Sequence, residues 1–214
     1  MGDLNQLDFV GENRLSVKGP ILEVGSKDYG NANNFRLLFE HELYIGTDQE
    51  PGKGVDVVCD FTADYASIID QVGIEKFGTI ICFSVLEHCK NPFKMAENIS
   101  KFLMDGGTLF VSVPFVWNIH SYPDDYWRFT PSSLSILFPD CVLVEEKSFY
   151  STKIRGERFP FSTSLADQDR HTFTISIMIR VLQRLHLARA KYPYVLFPVM
   201  VNASLIKKSQ NEIS

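Results

Sequence analysis

The 214 residues contain no G-x-G-x-x-G, no C-x-x-C and no G-x-S-x-G. Without the first, a dinucleotide pyrophosphate lacks its close glycine cradle. Without the second, neither a zinc knuckle nor a redox dithiol is supported. Without the third, the exposed serine of a hydrolase nucleophile turn is missing. No apolar run is long enough to span a bilayer. A basic excess is also missing: 21 Lys and Arg face 26 Asp and Glu, for a net charge of −5. Phosphate recognition needs clustered cations, so nucleic acid is not expected as a partner. Cysteines number only four, and Cys59 and Cys82 fall in apolar strand candidates, where buried thiols are expected. The N-terminus is acidic and lacks an apolar signal core, so the expected location is cytoplasmic. There are no repeats or low-complexity linkers. What remains is an ordinary globular composition, 45% hydrophobic and 22% charged. It is expected to form one α/β domain over 1–214, with 151–195 as an insertion, a lid or an extra helical layer.

The informative stretch runs from Pro20 to Asp60. An apolar strand, Ile21 to Val24, runs into a turn at Gly25-Ser26-Lys27-Asp28-Tyr29-Gly30. A second strand ends on Asp48 and a third on Asp60. Glycine at such a turn lets backbone approach a ligand closely, and a following carboxylate can accept hydrogen bonds from ribose hydroxyls. Glu23, two residues before Gly25, would repel phosphate. A nucleoside with a cationic centre and an amino-acid tail fits this charge better.

On these residues the chain resembles the class I S-adenosylmethionine-dependent methyltransferases, whose first motif is acid, any residue, glycine at the end of strand one. The resemblance implies S-adenosylmethionine as cofactor. It places Gly25 under its methionine moiety, Asp48 at the ribose and Asp60 and Phe61 beside the adenine, with Glu23, Ser26, Gly30 and, in the fourth motif, Ser84 as further cofactor-binding residues. Lys101 to Pro114, a helix end with paired glycines and a strand, resembles the block that follows.

Alternating strands and helices point to a right-handed, doubly wound, mostly parallel sheet. Strands are predicted at 21–24, 44–47, 55–59, 79–83, 108–113, 141–149 and 201–207. Helices are predicted near 34–40, 65–72, 92–103 and 172–190. The fold class is thus α/β and Rossmann-like with seven strands and a helical insertion between strands six and seven. The resemblance makes strand seven antiparallel, inserted between strands five and six.

Two segments can carry chemistry. Val85-Leu86-Glu87-His88 follows strand four, at the end of the sheet where ligands bind. In some relatives an acid three residues before the Glu-His pair completes a magnesium site. Ser84 stands there instead, and a hard cation wants several oxygen ligands, so no metal is expected. His120-Ser-Tyr-Pro-Asp-Asp-Tyr-Trp-Arg-Phe-Thr-Pro131 follows strand five. It resembles a block found in bacterial methyltransferases of glycan and surface-polysaccharide pathways. That resemblance implies a small-molecule or glycan acceptor, with methyl transfer to a hydroxyl. Tyr122, Tyr126 and Trp127 can wall an acceptor pocket, and Arg128 can bind an acceptor carboxylate or phosphate. Arg128 can equally pair with Asp124 or Asp125 to hold the loop. An oxygen acceptor must lose a proton, and His120 is the first candidate base, His88 the second. Asp125 can orient the histidine.

Phe173, Ile177, Val181 and Leu185 share a helical face beside Arg180, Arg184 and Arg189. Such a helix can touch a membrane surface, cover the sheet or form a homodimer contact. Two other readings remain open. One is an NAD(P)-dependent nucleotide-sugar enzyme on a similar sheet. The other is a non-catalytic nucleoside-binding module.

Overall fold

The computed structural model describes residues 4–30, 34–120, 124–162 and 198–209. Its helices are α1 (Leu4–Glu12), α2 (Tyr65–Val72), α3 (Pro92–Phe102) and α4 (Pro131–Leu137). Five strands make the parallel part of the sheet: β1 (Ile21–Val24), β2 (Tyr44–Asp48), β3 (Val57–Val58), β4 (Phe77–Phe83) and β5 (Leu103–Pro114). Their spatial order is β3-β2-β1-β4-β5. The antiparallel remainder is β6 (Cys141–Leu143), β7 (Phe149–Ser151), β8 (Arg158–Pro160) and β9 (Met200–Lys207). As expected, the last strand runs antiparallel to β5 and separates it from β6 and β7.

Each central strand sends alternate side chains to opposite faces, as the pleat requires. Leu22, Ile80, Cys82, Leu109 and Val111 pack with Ile68 of α2, Ile99 of α3 and Leu134 of α4. Ile21, Ile81, Phe83 and Phe110 point the other way, onto Phe9 and Val10 of α1. Helix boundaries follow from local caps. Asp64 accepts from Ala66 N and Gly73 at φ 73° ends α2. Asn91 caps α3 ahead of Pro92, and Thr130 with Ser133 forms a capping box on α4.

Four features differ from the sequence reading. Among the described residues the sheet has nine strands rather than seven. The predicted strand 141–149 is cut by a 3-10 turn at Glu145–Lys147, while both halves still pair with β9. Ser148 bridges the break: its hydroxyl donates to Val144 O at 2.7 Å and accepts from Ser204 N at 3.0 Å. The helix expected near 34–40 is only a 3-10 turn, Phe35–Leu38, and Asn34 makes no capping bond. Finally, α1 was not foreseen. Its sheet-facing side carries Asn5 and Gln6, both buried, alongside Phe9 and Val10. The predicted helix 172–190 lies outside the described residues. Among the described residues, no helix is long and apolar enough to cross a membrane.

Candidate active site

The segments leaving β1, β2, β4 and β5 meet at the carboxyl end of the parallel strands, where open α/β sheets bind ligands. Two of these segments touch at Gly25. Its φ is +81°, and a Cβ there would stand 2.1 Å from Val85 Cγ2. Only glycine satisfies both the conformation and the space.

The turn that Gly25 opens is tightly tied. Gly25 N and Ser26 N both donate to Thr47 O, at 2.8 and 3.0 Å. Asp48 accepts from Lys27 N at 3.3 Å and from Glu50 N at 3.1 Å, one bond to each oxygen. Gly30 N donates to Asp28 Oδ1 at 2.8 Å. Ser26 Oγ is buried and has no hydrogen-bond partner. Asp60 Oδ1 accepts from both the amide and the hydroxyl of Thr62, each at 2.7 Å.

Three candidates sit differently from the expectation. Phe61 is core: it is 2% exposed, with its ring 5.6 Å from that of Phe102. Asn98 of α3 anchors its carbonyl at 2.8 Å, so only backbone at Phe61 remains beside an adenine. Ser84 adopts φ 53°, and its hydroxyl accepts from Gln6 Nε2 at 3.1 Å. The same Gln6 amide reaches Ser112 Oγ at 3.0 Å, so α1 is laid over the ends of β4 and β5. Glu23 accepts from Tyr44 OH at 2.7 Å, and burial pushes its carboxyl up to about 7.

That shift makes a stability prediction. From the ordinary 4.5 up to about 7, the unfolded chain ionises Glu23 while the folded chain keeps it protonated. Stability is therefore lost as pH rises through that window. Glu23→Gln should match wild type near pH 4.5 and exceed it above pH 7 by about 2–3 kcal/mol, read from denaturant midpoints. Equal differences at both pH values would contradict the burial of this carboxyl.

The other half of the site is the loop after β5. Arg128 organises it by donating to Trp117 O, Asn118 O, Trp127 O and both oxygens of Asp125. With its donors so engaged, Arg128 is a loop clamp rather than a binder of acceptor carboxylate or phosphate. Asp125 is 1% exposed at its side chain. Hydrogen bonds from Arg128 hold its carboxyl well below the usual carboxylate range. The loop is fastened to the segment after β4 by Tyr126 N donating to Glu87 O at 2.8 Å and Trp127 Nε1 donating to Cys89 O at 2.9 Å. Tyr126 and Trp127 remain about 40% exposed at the rim, 41% and 39% respectively. Tyr122 lies outside the described residues.

These ties bring His88 and His120 together, ring centroids 4.9 Å apart and nearly perpendicular. His120 Nδ1 lies 3.1 Å from Asp125 Oδ2 and 3.2 Å from Asn118 O. His88 Nδ1 lies 2.6 Å from Asp124 O. Those neighbours are acceptors, so in the neutral form of each ring Nδ1 carries the hydrogen and Nε2 the lone pair. Burial lowers the pKa of His88. Glu87 is 1% exposed, and burial pushes its carboxyl up to about 8. The Asp125 carboxylate thus lies within hydrogen-bonding reach of His120 Nδ1.

Sequence reasoning missed Gln6, whose polar side chain gives no hint of burial. It also missed Trp117, although that residue stands in the same ring-rich stretch. Lys153 Nζ sits 4.1 Å from the Trp117 ring centroid, and with Val116 and Asn118 they line a small recess. A larger cavity of about 280 Å³, lined by Phe93, Lys101, Ile136 and Lys207, shares no residue with this site.

No family model matches the chain, and no curated protein matches its sequence. Solved structures do match its shape. One is a Burkholderia thailandensis 1,6-didemethyltoxoflavin-N1-methyltransferase with bound S-adenosylhomocysteine. It has a TM-score of 0.56 at 10% identity, over 95% of this chain and 77% of that one. The N-methyltransferase NodS of Bradyrhizobium japonicum, also with S-adenosylhomocysteine, gives 0.55 at 13% identity, over 95% and 86%. A SAM-dependent methyltransferase of Archaeoglobus fulgidus gives 0.53 at 15%, over 94% and 92%. The chain has the fold of these methyltransferases. Within that methyltransferase fold, the Gly25 turn and the His88–His120 pair stand on segments that touch one another through Gly25 and Val85.

Proposed function

We propose that the chain is an S-adenosylmethionine-dependent methyltransferase acting on a hydroxyl of a small-molecule or sugar acceptor. The observation that carries this reading is the contact of Gly25 with Val85, which joins the donor turn to the segment bearing Glu87 and His88. The residues present fit the donor. Ser26 offers a buried hydroxyl without a partner. Each Asp48 oxygen takes only one backbone bond, which leaves acceptor capacity for ribose hydroxyls. Asp60 keeps Oδ2 clear of its bonds to Thr62. The neighbours solved with S-adenosylhomocysteine support the same donor.

When bound, S-adenosylmethionine supplies a methyl on a sulfonium, whose sulfur keeps the C–S electron pair as the acceptor oxygen forms the new C–O bond. The protein's part is orientation, exclusion of water and removal of one proton. Asp125 holds His120 Nδ1–H, so Nε2 faces the acceptor as the base. Gln6 and α1 cover the ends of β4 and β5. Tyr126 and Trp127 offer ring faces to a sugar or an apolar ring.

Asp48→Ala tests the donor placement. It should weaken S-adenosylhomocysteine binding by about 1–3 kcal/mol, the range for deleting a hydrogen-bonded partner. Unchanged affinity in a folded variant would remove the ribose from Asp48.

A further inference from the structure

We propose that Glu87, His88 and His120 form a binding site for one divalent transition-metal ion. One ligand atom from each lies within 4.8 Å of the others. An ion at about 2.0–2.2 Å from each needs only a small inward movement. The three come from two segments that Tyr126 N and Trp127 Nε1 fasten together, so the arrangement is held by backbone bonds rather than by the side chains themselves.

Two independent features point at an ion. The first is the state of the imidazoles. Both Nδ1 atoms are committed to oxygen acceptors, Asp124 O for His88 and Asp125 Oδ2 with Asn118 O for His120. Both Nε2 lone pairs are left available. Fixing a ring through Nδ1–H in this way orients a ligating histidine and raises its basicity. The second is Glu87. One oxygen is 3.9 Å from His88 Nε2, too long for a hydrogen bond, and the other is buried with no partner at all. A buried carboxyl with an unsatisfied oxygen is costly, and native structures rarely keep one without an ion or water to satisfy it.

The donor set selects the metal. Two imidazoles and one carboxylate suit Zn²⁺, Mn²⁺, Co²⁺ or Fe²⁺, whereas Mg²⁺ and Ca²⁺ prefer oxygen. Three protein ligands also leave open positions, as in catalytic rather than structural sites. The Glu87-His88 pair resembles the magnesium-binding pair of some relatives, but Ser84 offers no carboxylate, so no metal is expected from the sequence. The missing ligand comes instead from His120, on the loop after β5.

The consequence for chemistry rests on the methyl-transfer reading; the site itself does not. An acceptor hydroxyl in an open position would lose its proton to solvent water more readily, because the ion lowers its pKa. The resulting oxygen then attacks the methyl; with the ion bound His120 acts as a ligand, and its role as base belongs to the ion-free protein.

The test uses the full-length, chelator-treated protein titrated with Co²⁺, Mn²⁺ and Zn²⁺ by calorimetry, with Co²⁺ also followed by visible absorption. One ion per chain is expected, with affinity at least about tenfold weaker in His88→Ala and in His120→Ala, since each removes a ligand. Glu87→Gln keeps the buried shape and should weaken binding similarly, which covers the case that an alanine variant fails to fold. Absence of stoichiometric binding, or equal binding in the folded variants, overturns the proposal. S-adenosylhomocysteine is titrated into the same samples. Histidine-dependent Co²⁺ binding without donor binding would sink the methyl-transfer reading and leave the metal site standing; the reverse pattern would do the opposite.

Discussion

His120→Ala is expected to lower methyl transfer by roughly 10²–10⁴-fold, the range for a positioned acid–base group. Donor affinity should stay within about twofold of wild type, because the bonds of His120 run to Asn118 and Asp125 of its own loop. The loss should fall mainly on kcat. A histidine that only held the loop would instead raise KM or reduce stability, because its removal would displace Tyr126 and Trp127. Those residues have their own anchors at Glu87 O and Cys89 O, so the loop should survive the substitution. Measurement of kcat, KM and S-adenosylhomocysteine affinity on one preparation separates these cases. A variant that loses donor binding would make His120 a donor-pocket residue and overturn its role as base.

Asp125→Ala should produce the largest structural effect at the site. The carboxylate is nearly inaccessible at 1% side-chain exposure and accepts from Arg128, from His120 N at 2.9 Å and from His120 Nδ1. Removing it leaves a guanidinium partly enclosed without its counter-charge and frees the His120 ring. Breaking a fully buried pair costs several kcal/mol, but Arg128 is 28% exposed, so about 2–3 kcal/mol is expected here. Turnover should fall with it, because the Nδ1–H anchor is gone. Asp125→Asn keeps the shape and should recover part of the stability. A loss below about 0.5 kcal/mol, typical of surface changes, would contradict the picture of Arg128 and Asp125 as the clamp of this loop.

The parallel half of the sheet was legible because its signals are local. Ile21–Val24 and Phe77–Phe83 are apolar on both faces, as central strands must be. Asp64, Gly73, Asn91 and Thr130 mark helix ends by cap chemistry that a sequence displays directly. The unforeseen parts depend on long-range partners. Asn5 and Gln6 look like solvent residues until Thr152 O, Ser84 and Ser112 are brought to them. Arg128 offered two equal roles in sequence, and only the convergence of Trp117 O, Asn118 O and Asp125 decides for the clamp. Phe61 sits three residues after a strand of just two residues, and its direction depends on Phe102 and Asn98 from α3. Glu87 and His120 belong to different loops, so their meeting is written in topology rather than in any motif.

The most direct test is calorimetric titration of the full-length protein with S-adenosylhomocysteine. A micromolar dissociation constant, about −8 kcal/mol, with one site per chain is expected. No heat of binding at millimolar ligand, where the binding energy would be weaker than about −4 kcal/mol, would contradict a donor site at Gly25 and Asp48 and move the weight to another nucleotide or to a fold without the reaction.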